Sequence, residues 1–157
     1  MTPDERLAEK LVELGLVLPP APAPKGLYRP VLVAGGLAYT SGHLPVRPDG
    51  QVVTGCVGAD LDVAAGCEAA RLAALGILAS IRSSLGSLGR VRRLVRLLGV
   101  VRSTPEFTQH PAVINGASEL LAQVFGPQDG VGARSALGAA SLPLGAAVEI
   151  EAVFEVG

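Results

Sequence analysis

From Val148 to Val156 the chain alternates without a break. Val148, Ile150, Ala152, Phe154 and Val156 share one parity, and Glu149, Glu151 and Glu155 share the other. Side chains of a strand leave its two faces in turn, so this pattern calls for a strand with one buried face and one wet face. A second apolar run, from Gly132 to Ser141, precedes it across Leu142-Pro143-Leu144-Gly145, where Pro and Gly interrupt a strand. The only charge in that first run is Arg134, near its start. A guanidinium at a strand end offers a planar fork for a carboxylate or phosphate, and a carboxylate in the next strand can position water or a proton. If residues 143–145 closed a plain hairpin about Leu144, Glu149 would face Ala139. Arg134 would then lie five residues along, roughly 17 Å away at ~3.3 Å per residue. For the two to share a site, the connection is not a plain hairpin, or one partner comes from a neighbouring subunit.

A chain of 157 residues fits one domain, large enough to bury a core without metal or disulfide support. A net charge of −1 argues against a surface dedicated to nucleic acid. Hydrophobic residues make up 49% but aromatics only 3%, so burial must come from Leu, Val, Ile and Ala. The mean hydropathy of +0.45 is high for a small soluble chain, and part of the apolar surface is expected to lie against a partner subunit. Cys56 and Cys67 have neither CxxC nor metal spacing and read as reduced, small hydrophobes. The apolar run Leu72–Ile81, bounded by Arg71 and Arg82, is too short to span a bilayer. No signal-peptide core follows the charged start Asp4, Glu5, Arg6, Glu9, Lys10, so a cytoplasmic location without membrane contact is expected.

In chain order, residues 3–15 read as a helix, with Pro3 and Asp4 in its first turn and Gly15 as its stop. Pro19 to Pro24 is an extended polyproline connector, and residues 1–25 form an accessory unit ahead of a domain over 26–157. Val31–Val33 and Leu37–Ser41 flank the hairpin signal Gly35-Gly36, and Val52–Thr54 reads as a short third strand. Residues 62–86 carry a long helical pattern capped by Asp60 or Asp62, and its small residues suit close packing on a sheet. Arg90–Val101 reads as a strand whose arginines face Glu149, Glu151, Glu155 or water; no aromatics interleave as stacking platforms for bases. A loop over 103–111 leads to a second core helix at about 112–125. The order is that of an α+β fold, two helices on one face of an amphipathic sheet. The opposite face still carries many apolar side chains, and burial against copies of the same chain would cover it.

Chemistry-bearing side chains are few. His43 follows Ser41-Gly42 and His110 precedes Pro111, but no nucleophile-elbow pattern surrounds Ser41 or Ser135, and no His/Cys/Asp cluster has metal spacing. What remains is Arg134, the strand carboxylates, the tyrosines, and the backbone at Ser41-Gly42.

Several short stretches together carry a family resemblance. They are Ala133-Arg134-Ser135, Leu142-Pro143, Val148-Glu149-Ile150-Glu151-Ala152, Thr40-Ser41-Gly42-His43-Leu44-Pro45, Tyr28 after a glycine, and the block from Ile114 to Glu119. Over about residues 26–156 the chain resembles the reactive intermediate deaminases, the Rid or YjgF-like proteins. The resemblance implies a chorismate-mutase-like α+β fold with a non-sequential mixed sheet, assembled as a homotrimer with sites in the clefts between subunits. It implies cofactor-free hydrolysis of enamine and imine intermediates to 2-oxo acids and ammonia. By the same resemblance Arg134 clamps a small carboxylate, Glu149 positions the attacking water, Tyr28 and Ser41 line the pocket, and Gly42 supplies backbone contact. Ala136 stands where many members have a cysteine, and Gly132 where a proline often precedes Ala-Arg. The helix and polyproline connector match a longer subgroup. A carboxylate-binding or regulatory protein without turnover is the alternative. Endoribonuclease activity, a label attached to some relatives, fits poorly with the near-neutral charge and the lack of a histidine pair.

Overall fold

The computed structural model describes residues 1–157. Its elements run α1 (Pro3–Leu14), β1 (Val31–Ala34), β2 (Leu37–Thr40), α2 (Val63–Leu85), β3 (Val91–Arg102), α3 (His110–Phe125), β4 (Ala133–Ala139) and β5 (Val148–Val156). The five strands form one mixed sheet in the order β1-β2-β5-β3-β4. Only β3 and β4 are parallel; the other neighbours are antiparallel. Parallel neighbours need a crossover, and α3 supplies it. Consequently β4 and β5, adjacent in sequence, are not a hairpin, because β3 lies between them. Gly35 and Gly36 both take positive φ, 58° and 76°, as the tight β1–β2 turn requires.

The expected third strand at 52–54 is absent as a ladder. Val52 bridges Val46 and Thr54 bridges Ala146 as isolated pairs, with Gly50 and Gly55 turning the chain at positive φ on either side. The helix expected at 112 begins two residues earlier, at His110. Pro111 fits its first turn, where a missing N–H costs nothing.

Helices α2 and α3 cover one face of the sheet. The core beneath them holds Leu97, Val148, Ile150, Ala152 and Phe154 together with Ala70, Ala74, Ile77, Ile114 and Leu121. A Cβ on Gly116 would collide with the Cys67 carbonyl, so glycine lets the two helices touch at that point. Asp62, not Asp60, caps α2 by accepting from Ala65 N. Although the apolar run 72–81 is short, α2 itself is 23 residues and apolar enough to cross a membrane by length and composition. Two thirds of its most apolar stretch is buried inside the fold, as in a core helix.

The accessory helix α1 packs chiefly on α3 and on the turn before β3. Its N-terminus closes with a capping box between Thr2 and Glu5. Leu7 is buried, Arg6 Nε donates to the Val124 carbonyl, and Asp4 accepts from Ser87 Oγ and Leu88 N at the turn before β3.

The opposite sheet face is open. Leu32, Tyr39 and Leu137 are each more than 40% exposed there. The arginines of β3 divide among partners on and beside this face. Arg92 and Arg93 lie 3.9 and 3.4 Å from Glu155, Arg96 donates to Ser135 Oγ, and Arg102 donates to the Gly145 carbonyl.

Candidate functional site

The residues singled out in the sequence fall into two separate groups. The first gathers where β2 ends beside β5. Ser41 Oγ donates to the Arg29 carbonyl at 2.6 Å, which folds residues 28–30 back along the strand end. Tyr28, Leu32, Tyr39 and Ser41 line an open groove of about 660 Å³ there. Gly42 follows at once, and a Cβ on it would collide with the Glu149 carboxylate. Glycine is therefore what allows Glu149 to lie against the backbone at this point. The Gly42 N–H donates to no group of the chain. The structure thus brings Tyr28, Ser41, Gly42 and Glu149 to one region.

Glu149 is partly buried, and its pKa is raised above the ordinary carboxylate value. Burial is the larger cause and the neighbouring Glu151 charge the smaller. A carboxylate held up in this way takes a proton from water more readily than an ordinary one.

The second group surrounds Arg134. Nη1 donates to Asn115 Oδ1 at 2.8 Å and to Ser118 Oγ at 3.1 Å, and Nη2 lies 3.5 Å from the Pro111 carbonyl. All three partners are neutral groups of α3. They fix the guanidinium without cancelling its charge, and no carboxylate of the chain pairs with it. Sequence reasoning placed Arg134 but passed over Asn115 and Ser118. Their three-residue spacing on one helix was the available signal, since such residues share a face.

The two groups do not meet within one chain. Arg134 pairs in register with Leu97, which faces the helices, and its own side chain reaches α3. Glu149 alternates with the fully buried Val148 and Ile150, so it leaves the open face. Along the strands, Glu149 pairs with Val100 and Arg134 with Leu97, a further offset of three residues.

The histidines are engaged elsewhere. His43 bonds Ser80 Oγ and the Ser41 carbonyl, both at 2.8 Å, and sits at 4% exposure. His110 Nε2 lies 3.2 Å from Ser103 Oγ, and its ring meets the Phe107 ring edge-on. Cys56 and Cys67 are free thiols, and the pKa of Cys67 is raised, chiefly by burial and then by Glu119.

Comparison with known proteins agrees with this architecture. Residues 8–154 match the profile of the family described as YjgF/chorismate mutase-like, "putative endoribonuclease". Protein TCP17 of Trypanosoma cruzi is 44% identical over 151 residues, covering 96% of this chain and 94% of that protein. The crystal structure of a protein of unknown function from Agrobacterium tumefaciens shares the fold with a TM-score of 0.91 at 44% identity. The match covers 99% of this chain and 95% of that one. A candidate endoribonuclease from Shewanella oneidensis gives a TM-score of 0.90 at 33% identity, covering 99% and 100% of the two chains. On the strength of the matched profile, the shared fold and these identities, the chain belongs to the YjgF/chorismate mutase-like family, the Rid proteins.

Proposed function

We propose that the protein hydrolyses reactive 2-imino and enamine carboxylates to 2-oxo acids and ammonia, using half-sites from two copies of the chain. The observation that carries this reading is Arg134: a guanidinium held in place by Asn115 and Ser118, with no carboxylate of its own. Such a group is prepared for an incoming carboxylate, which it binds through a planar, bidentate, charge-assisted pair. Glu149 of a second copy, lying against Gly42, supports the other half of the reaction. It takes a proton from water as the oxygen adds to the iminium carbon, returns that proton to the nitrogen, and takes the remaining hydroxyl proton as the C=O bond forms and ammonia departs. An iminium carbon is already electrophilic, so orientation and one positioned base suffice and no cofactor is required. Tyr28 and Ser41 line the pocket beside the base, and the free Gly42 N–H contacts the ligand.

The copies are proposed to form a homotrimer that buries the open, apolar sheet face, with residues 26–157 as the assembling unit and residues 1–25 as an accessory helix and connector. Sedimentation equilibrium tests the assembly: a trimer mass at micromolar concentration is expected, and a monomer mass contradicts it. The activity is tested by following the decay of the imine derived from 2-aminoacrylate, with and without protein. Faster decay with ammonia release is expected. A protein that binds 2-oxo or 2-amino carboxylates but leaves the decay rate unchanged is a carboxylate binder, and the hydrolase reading fails.

A further inference from the structure

His43 has no role in the chemistry proposed above, yet it is the most engaged side chain beside it. Its ring lies over Gly76 of α2 and is 4% exposed. Nδ1 is 2.8 Å from the Ser41 carbonyl oxygen, and Nε2 is 2.8 Å from Ser80 Oγ, one helical turn beyond Gly76. A carbonyl oxygen only accepts, so Nδ1 carries a proton, while the Ser80 hydroxyl can donate to Nε2 or accept from it. Burial holds the ring's pKa below the ordinary imidazole value and so favours the neutral form, in which Nε2 accepts from the Ser80 hydroxyl.

The backbone around it is equally constrained. His43 N donates to the Ile150 carbonyl at 2.7 Å, and Ile150 N donates back to the His43 carbonyl at 3.0 Å. Ile150 directly follows Glu149. The bond from Nδ1 runs from residue 43 back to residue 41 and closes the backbone around Gly42, whose other side is covered by the Glu149 carboxylate. The imidazole thus ties the Ser41 carbonyl to a hydroxyl of the core helix, while the main chain of the same residue pairs with the strand that carries Glu149.

We propose that His43 is the positioning residue for Glu149: anchored to Ser80 on α2, it holds the Ser41-Gly42 backbone as a fixed cradle under the Glu149 carboxylate and so sets where the attacking water is held. The proposal rests on the reading of Glu149 as the water-positioning base. A core histidine with a structural role alone would share the same burial. What separates the two is whether Glu149 responds when the ring's hydrogen bonds are removed and the fold is kept.

The test compares the full-length wild type with His43→Leu, His43→Gln and Ser80→Ala. Leu keeps an apolar volume and removes both bonds; Gln again offers one donor and one acceptor. The first readout is the titration of Glu149, followed by NMR on protein labelled with carboxyl-13C glutamate, which needs no turnover. In His43→Leu the cradle loosens, water reaches the carboxylate, and its midpoint falls toward the ordinary value. In His43→Gln it stays near wild type, and in Ser80→Ala it falls by a smaller amount. The second readout is imine hydrolysis. His43→Leu is expected to lose roughly 10- to 100-fold in kcat with KM within about threefold, because the Arg134 clamp is untouched, while His43→Gln stays within about threefold of wild type. An unchanged Glu149 midpoint in folded His43→Leu overturns the proposal; if that variant does not fold, an unchanged midpoint in Ser80→Ala does so. Should the wild type itself fail to hydrolyse imines, the hydrolase reading is lost. The Glu149 titration then still decides whether His43 sets the carboxylate.

Discussion

Arg134 and Glu149 leave opposite faces of the same sheet, with β3 between the strands that carry them. Arg134 turns toward α3 at the sheet edge, and Glu149 turns away from the helices toward the open face. A ligand that touches both must bridge two copies of the chain. Each copy would then contribute its arginine to one site and its glutamate to another.

The two residues should separate binding from chemistry. Arg134→Ala removes a charge-assisted fork, and affinity for a 2-oxo carboxylate should fall by on the order of 2–4 kcal/mol in a calorimetric titration. Glu149→Gln keeps shape and hydrogen bonding but removes the base. Its turnover should fall roughly 10²-fold or more, with affinity little changed. Full activity in Arg134→Ala would remove Arg134 from the site.

Glu149 also carries a stability signature. Its pKa is raised in the folded protein, so the fold favours the protonated form. The sign follows: the ionised carboxylate destabilises the fold above the raised midpoint, and the penalty fades as pH falls through it. Glu149→Gln should therefore be slightly more stable than wild type at neutral pH, by about a few tenths of a kcal/mol after allowing for solvent screening. The difference should vanish in acid. Thermal unfolding of the pair across pH measures it, and equal or lower stability of the variant at neutral pH counts against a desolvated carboxylate.

Gly42 is required by contact and not by backbone conformation, since it is not among the glycines with positive φ. Gly42→Ala should fold, because alanine tolerates such a backbone, but the added methyl must displace the Glu149 carboxylate. A loss of roughly 10- to 100-fold in kcat is expected from moving a base by about an ångström. Wild-type turnover in Gly42→Ala would show that Glu149 need not rest there.

The thiols should be dispensable for chemistry. The Cys56 thiol faces the Val57 carbonyl, and Cys67 packs against Gly116 between α2 and α3; neither thiol is hydrogen-bonded to Arg134 or Glu149. Serine at both positions should leave hydrolysis within about threefold of wild type in the imine-decay assay. Loss of activity in a folded, assembled double variant would place a thiol in the reaction.

Elements whose cause is local were legible in the chain itself. The alternation of 148–156, the Gly35-Gly36 turn and the small-residue pattern of α2 each specify their own backbone. Strand order was not legible from pattern alone, because placing β3 between β4 and β5 depends on a crossover through α3. The segment 52–54 misled because β-branched residues suggest a strand, whereas glycine turns on both sides leave room only for single bridges. At the site, charged residues stood out against an apolar background, but their supports did not. The spacing of Asn115 and Ser118 puts them on one helix face but does not point to Arg134, 19 and 16 residues away, and nothing in the pattern links Ser80 to His43 across 37 residues.

The most direct test of a site shared between copies is subunit complementation. Arg134→Ala and Glu149→Gln proteins are each assayed alone, then unfolded together and refolded as an equimolar mixture. Each parent should be nearly inactive toward the imine. In the mixture, random assembly should place an intact arginine opposite an intact glutamate in about a quarter of the sites, restoring about a quarter of wild-type activity. A mixture that exchanges subunits but stays as inactive as its parents, while the wild type turns over, would contradict the account.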